Sequence, residues 1–243
     1  MFSFREGLGF LPREMARRIG ETGVRTGTPV DAIERAENGL TVRAGGEAIA
    51  ARCVVCAVPP PVAAKLLGPL NAGMGDILAG IPMAPVAVVH LGGDATQNVP
   101  PGFGALIPRH YGIRTLGTVF VSQLFPGRAP EGHFVNTAFI GGTLDPEAMK
   151  LSDDELLAVA RADQAKILGI RDFDFADILR YTHAIPQLVP DHPEKIDDLR
   201  ARAAKIHGLV LAGNYLTGVG IDHAVGSGYT AADGAFNLTA AGN

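Results

Sequence analysis

No apolar stretch in this 243-residue chain approaches the roughly 20 residues a membrane-spanning helix needs. The opening residues, Met1-Phe-Ser-Phe-Arg-Glu6, lack the basic start and apolar run of a secretory signal. Both absences favour the cytosol, with peripheral contact at a membrane left open. No basic excess exists either: net charge is −4 and the basic residues are scattered, so nucleic acid is not an expected partner.

Cysteine is scarce. The only two, Cys53 and Cys56, stand in Arg52-Cys-Val-Val-Cys-Ala-Val-Pro59. Their C-x-x-C spacing invites a zinc or redox reading, but zinc would need two further ligands and no second pair exists. The surrounding residues read as an apolar strand, on which positions i and i+3 point to opposite faces. Two thiols acting as small buried hydrophobes is the better reading, with no metal. Nor does any histidine sit at telling spacing from a carboxylate. His183, His192 and His223 therefore receive no catalytic role, and no catalytic residue is assigned.

What the chain does have is apolar bulk and punctuation: 47% hydrophobic and 19% charged residues, with 31 glycines and 17 prolines. That is enough for one large globular domain or two smaller ones. Phe10 to Gly20 reads as a helix with Pro12 near its start. Val24 to Ile33 and Leu40 to Val42 read as strands, with Asn38-Gly39 as the strongest hairpin signal. Arg52 to Val58 reads as a buried strand ended by Pro59-Pro60-Pro61, and Val62 to Leu67 as the next helix. Past Ile81-Pro82 the pattern changes. Val86 to Leu91, Ala105 to Pro108, Thr115 to Phe125 and Phe134 to Ile140 resemble an antiparallel sheet with one covered face. Ser152 to Leu168 is a helix opened by a capping box, Ser152 with Glu155. Leu156, Val159, Ala160 and Ile167 form its apolar stripe. Gln187 to Asp191 reads as a loop and Glu194 to Ala204 as a helix. The expected segments are therefore 1–82, 83–187 and 188–243.

The most telling stretch is Leu209-Val-Leu-Ala-Gly-Asn-Tyr-Leu-Thr-Gly-Val-Gly-Ile-Asp-His-Ala-Val-Gly-Ser-Gly-Tyr229. A short buried strand breaks at Gly213-Asn214, glycines recur at 218, 220, 226 and 228, and Ala224 to Phe236 reads as a helix. Strand, glycine-rich turn and helix start can present bare backbone N–H groups to an anion. The plainer alternative is a βα unit whose glycines only permit close packing.

Several segments, in order, resemble the flavin-dependent protoporphyrinogen oxidases of the monoamine-oxidase-like flavoprotein superfamily. Phe2-Ser-Phe-Arg-Glu-Gly-Leu-Gly-Phe-Leu-Pro12 resembles the family's S-F-x-G-G-L-x-x-L-P. Gly27 to Ile33 and Val54 to Pro60 resemble its adenine-side strands. Leu116-Gly-Thr-Val-Phe-Val-Ser-Gln-Leu-Phe-Pro-Gly-Arg-Ala-Pro130 is most specific to the oxidase, and Leu211 to Ile221 closes the set. The resemblance implies a mixed α/β and α+β fold. It would be the C-terminal portion of a Rossmann-like FAD-binding domain carrying an inserted substrate domain of antiparallel sheet plus helices. It also implies FAD as cofactor and a porphyrinogen as substrate, oxidised to the porphyrin of haem biosynthesis.

Carried over by position, Val30 would meet the adenine, and Gly213 and Asn214 the diphosphate and ribityl chain. Val219, Gly220 and Ile221 would face the flavin pyrimidine edge. Leu106, Val119 and Phe139 would line the tetrapyrrole pocket, although apolar strand residues in any sheet core would look the same. Arg128 could reach a substrate carboxylate, or simply be solvated.

The departures are informative. After Gly7-Leu-Gly9 comes Phe10-Leu-Pro12, so the third glycine of G-x-G-x-x-G is missing, and no strand precedes it. The diphosphate turn is then expected from a separate N-terminal half. Tyr181 replaces a usual Trp, which weakens the inference of substrate. Two other readings stay open: a non-catalytic remnant or partner-binding subunit, and an amine-oxidase-like enzyme for another substrate.

Overall fold

A computed structural model describes residues 3–97 and 99–240. In chain order the first half holds α1 (Phe10–Ile19), β1 (Val30–Ala36), β2 (Gly39–Ala44), β3 (Glu47–Ala51), β4 (Val54–Cys56), α2 (Pro60–Leu67) and α3 (Ala72–Ala79). Then come β5 (Met83–Asp94), β6 (Gly104–Leu106), β7 (Thr115–Val119), α4 (Val121–Leu124) and β8 (His133–Gly141). The remainder is α5 (Asp153–Leu168), β9 (Phe175–Pro186), α6 (His192–Ala203), β10 (Leu209–Leu211) and α7 (Ile221–Ala240). These divide into two compact units, one of residues 1–24 and 83–184, the other of 25–82 and 185–243. Among the described residues, 3–24 fall in the unit that holds the antiparallel sheet and 25–82 in the other.

The first unit is built on a five-stranded sheet in the order β6-β7-β8-β5-β9. β5 and β8 pair antiparallel along nine residues, from Val86 with Gly141 to Asp94 with His133. Alternation sends Ala87, Val89 and Leu91, with Ala138 and Ile140, to one face, where they pack on Leu156 and Ala160 of α5. That helix starts as expected: Ser152 accepts from the Glu155 N–H and Glu155 reaches back to the Ser152 N–H. It ends at Gly169 in the left-handed region. Asp163, an acid among the helix's charged residues, is buried instead and accepts from both the N–H and the hydroxyl of Thr115, each at 2.8 Å. This pins α5 to β7.

Three expectations need correction here. The strand expected over Thr115 to Phe125 stops at Val119, because buried Phe120 leaves the extended region and starts the short α4. β9 was not anticipated, since its mixed residues, mostly exposed, show no clean alternation. Arg128 neither faces open solvent nor stands free. Its Nη2 donates to Ser3 Oγ (2.9 Å) and Phe4 O (2.6 Å), holding the first described residues in place.

The second unit joins a β1-β2-β3 meander to a parallel β4–β10 pair, with α2, α3 and α6 around a common core. Its core includes Leu40, Leu67, Met74, Leu78, Leu199 and Tyr215. The first strand begins at Val30, not Val24, and β3 and α3 are additional. Gly45-Gly46, both at positive φ, close the β2–β3 hairpin. β4 is shorter than expected, and Val55 at its centre is 41% exposed. Cys56 is in the core and Cys53 half-buried; burial pushes both thiols up. The last helix runs further than Ala224–Phe236 at both ends, and only Ala231 of it is buried.

Candidate functional site

The sheet of the first unit has one face covered by α5 and one left open. Register fixes which residues share the open face, because directly paired residues in antiparallel strands project to the same side. Leu106 pairs with Gly117, Gly117 with Phe139, and Phe139 with Val88, forming one row across four strands. The next row is Gly104, Val119, Thr137 and His90. Leu106, Val119 and Phe139 therefore come together on one face, away from the core to which the plain reading assigned them. Leu106 is 90% exposed, and Val119, Phe139 and Val88 are half-buried. Sequence reasoning missed His90, whose Nδ1 lies 2.8 Å from Thr137 Oγ1 in the middle of this apolar face. Only pairing between strands could have found it.

In the second unit the end of β10 is held from three directions. Ala212 N–H donates to Cys56 O (3.0 Å), and Gly213 N–H to Ser227 Oγ on α7 (2.8 Å). His192, the first residue of α6, bonds the Tyr215 carbonyl through Nε2 at 2.7 Å. Gly213 sits at φ +146°, and a Cβ there would lie 2.5 Å from the Tyr215 ring. That ring is buried, which pushes its phenol well above the usual tyrosine value. Asn214 opens the following turn, closed by Gly218 N–H to Asn214 O at 3.1 Å. Val219 and Ile221 are exposed, and Gly220 stands just before α7. Val30 starts β1 beside a bulge between it and Ala32, 41% exposed. Of the histidines weighed from sequence, His223 lies 4.0 Å from Asp222, and His183 Nδ1 lies 3.1 Å from Thr182 Oγ1.

A dinucleotide needs donors and a backbone it can approach closely. The N–H groups of Ile221, Asp222 and His223 open α7 and bond no acceptor among the described residues. A Cβ at Gly226 or Gly228 would meet nothing within 4 Å, so that flank of the helix is open. Beside it lies a cavity of about 270 Å³, lined by Leu211, Leu216, Thr217, Asp222, His223 and Ser227 among others. This donor set and open backbone fit a flavin nucleotide.

Fold and site define the class first: an apolar sheet platform and, in the same chain, a βα unit with a glycine-rich turn and an open helix start. Residues 1–235 match the family described as flavin containing amine oxidoreductase, and the chain belongs to that family. It is 31% identical to the chloroplastic protoporphyrinogen oxidase of Nicotiana tabacum, over 95% of this chain and 45% of that protein. It is 24% identical to the coproporphyrinogen III oxidase of Bacillus subtilis (strain 168), over 93% of this chain and 48% of that protein. A solved structure from Exiguobacterium sp. 255-15, provisionally assigned as a protoporphyrinogen oxidase, superposes with a TM-score of 0.84 at 25% identity. That alignment covers 94% of this chain and 50% of the other. The chain spans about half the length of the curated relatives it matches. No helix among the described residues is long and apolar enough to cross a membrane.

Proposed function

We infer that this chain provides the flavin-side wall and the substrate platform of an FAD-dependent oxidase that converts a porphyrinogen to a porphyrin. The observation that carries this reading is the shared open face of Leu106, Val119 and Phe139. A flat macrocycle needs a broad apolar surface with few polar groups, and a residue 90% exposed on a sheet is not there for the core. The porphyrinogen relatives supply the substrate class.

On this reading Val30 receives the adenine through its backbone, next to the bulge. Gly213 and Asn214 lie along the diphosphate and ribityl chain, and Val219, Gly220 and Ile221 line the pyrimidine edge of the isoalloxazine. The bound flavin supplies two-electron oxidation, and six electrons and six protons leave the macrocycle in three rounds with oxygen as terminal acceptor. The α7 start holds the negative charge that develops at that edge, since unpaired N–H groups and the helix dipole favour anions. The apolar face excludes water from the macrocycle. No side chain of this chain is required as acid or base.

In this reading the diphosphate-binding turn comes from a companion N-terminal half. The test is porphyrin fluorescence from the chain with FAD and porphyrinogen. One sample is the chain alone; another adds the part of the Nicotiana tabacum relative that it does not match. Turnover is expected only in the mixture. FAD uptake in neither sample would overturn the reading in favour of a non-catalytic remnant.

A further inference from the structure

Among the described residues the His192 side chain makes one hydrogen bond, and it is placed to do one thing. It is 5% exposed, at the first turn of α6, and bonds a residue 23 positions later, Tyr215. A carbonyl oxygen only accepts, so Nε2 carries a proton, and Nδ1 is buried with no partner among the described residues. A core histidine kept for packing would not need so short a bond, and an apolar residue would spare the chain the unpaired Nδ1. Tyr215 is itself 1% exposed, and its ring occupies the space a Cβ on Gly213 would need. Fixing the Tyr215 carbonyl therefore fixes the turn from Gly213 to Gly218, which leads directly into Val219, Gly220 and Ile221.

We propose that His192 is a positioning residue: its Nε2–H bond to the Tyr215 carbonyl latches the Gly213–Gly218 turn in the conformation that presents the cofactor-side wall. The proposal rests on the reading of that wall given above. The latch itself is a statement about the chain without any ligand. α6 is anchored in the core by Ile196 and Leu199, so the imidazole adds a polar tie from a rigid element to a turn otherwise held by the packing of Tyr215 and Leu216, by backbone bonds and by Ser227.

The two consequences can be measured separately. Hydrogen–deuterium exchange on the flavin-free 243-residue chain reads the latch, and FAD titration by flavin fluorescence of the chain mixed with the companion half reads its effect on the wall. His192→Asn keeps a polar amide but is too short to bring a donor to the Tyr215 oxygen, whereas His192→Gln carries a donor to the Nε2 position. His192→Asn is expected to raise exchange at Leu216 and Gly218 roughly five- to tenfold, the worth of one neutral hydrogen bond, with Val54 to Cys56 unchanged. FAD affinity is expected to fall by a similar factor, and His192→Gln to restore both. Unchanged exchange at Leu216 and Gly218 in His192→Asn overturns the proposal. So does an equal loss of protection at Val54 to Cys56, the mark of a merely structural residue. If His192→Asn does not fold, the Gln variant decides: protection kept at Leu216 and Gly218 supports the latch, and protection lost refutes it. A parent chain that takes up no FAD even when mixed with the companion half counts against the wall reading, while exchange still decides the latch.

Discussion

His90 Nδ1 lies 2.8 Å from Thr137 Oγ1, directly across the β5–β8 pair, on the sheet face that α5 does not cover. Thr137 is buried and His90 half-buried, so this is a polar pair set among Val88, Val119 and Phe139. Thr137→Val keeps the shape and removes the hydroxyl. The expected cost is about 1 kcal/mol, one net hydrogen bond, read as a lowered urea midpoint. Freed from Thr137, the His90 ring should also gain rotamer freedom, seen as broadened imidazole signals in NMR.

Leu106 and Ile140 are both apolar strand residues of one sheet, yet opposite outcomes are expected from truncating them. Ile140 is 0% exposed under α5, and Ile140→Ala should cost about 2–5 kcal/mol through lost burial and a cavity. Leu106→Ser should change stability by less than about 0.5 kcal/mol, because the side chain is already in water. If the open face takes the macrocycle, Leu106→Ser weakens porphyrin binding in a fluorescence titration. Equal porphyrin affinity would remove Leu106 from the platform.

Gly213 and Gly226 separate backbone need from ligand access. Gly213→Ala forces a Cβ against the Tyr215 ring at φ +146° and is expected to destabilise by about 1–3 kcal/mol. Gly226 lies inside α7 with nothing within 4 Å of its would-be Cβ. Gly226→Ala should raise stability by about 0.5–1 kcal/mol, as helical glycine gives way to alanine. The same methyl group stands where the open flank would receive a cofactor, so reduced FAD uptake is expected beside the higher melting temperature.

Acid stability should depend on Asp145. Its carboxylate accepts two 2.8 Å bonds from the Arg114 guanidinium, which holds it below the ordinary aspartate value. A carboxyl with a folded value below its unfolded one stabilises above the unfolded value, about 3.9. That contribution is lost as pH falls through the folded value. Asp145→Asn should therefore be less stable at neutral pH and converge on the parent in acid. Parallel urea midpoints across the whole pH range would refute the assignment.

Much of the fold was legible because its causes are local. The α5 capping box and the strand–turn–helix order from Leu209 each depend on residues a few positions apart. The candidate site was legible only as an inventory. Leu106, Val119 and Phe139 could be named by resemblance, but each would look the same buried in a core. β9 escaped notice because Phe175 to Pro186 alternates poorly, and nothing near α5's Asp163 in sequence points to its bonds with Thr115.

The sequence by itself determined which residues alternate, where chain direction must change, and which helix ends are capped. These are interactions between near neighbours, and period-two patterning places 117 and 119, or 137 and 139, on a common side. Only the tertiary structure decided which side α5 covers and which stays open. Only it brought His90 to Thr137, Asp163 beneath Thr115, and His192 to the Tyr215 carbonyl 23 residues away. The physical reason is that a strand's pattern separates its two faces without saying which one will be buried. That choice is made by long-range packing, where one helix covers one face and the free energy of burial is gained once.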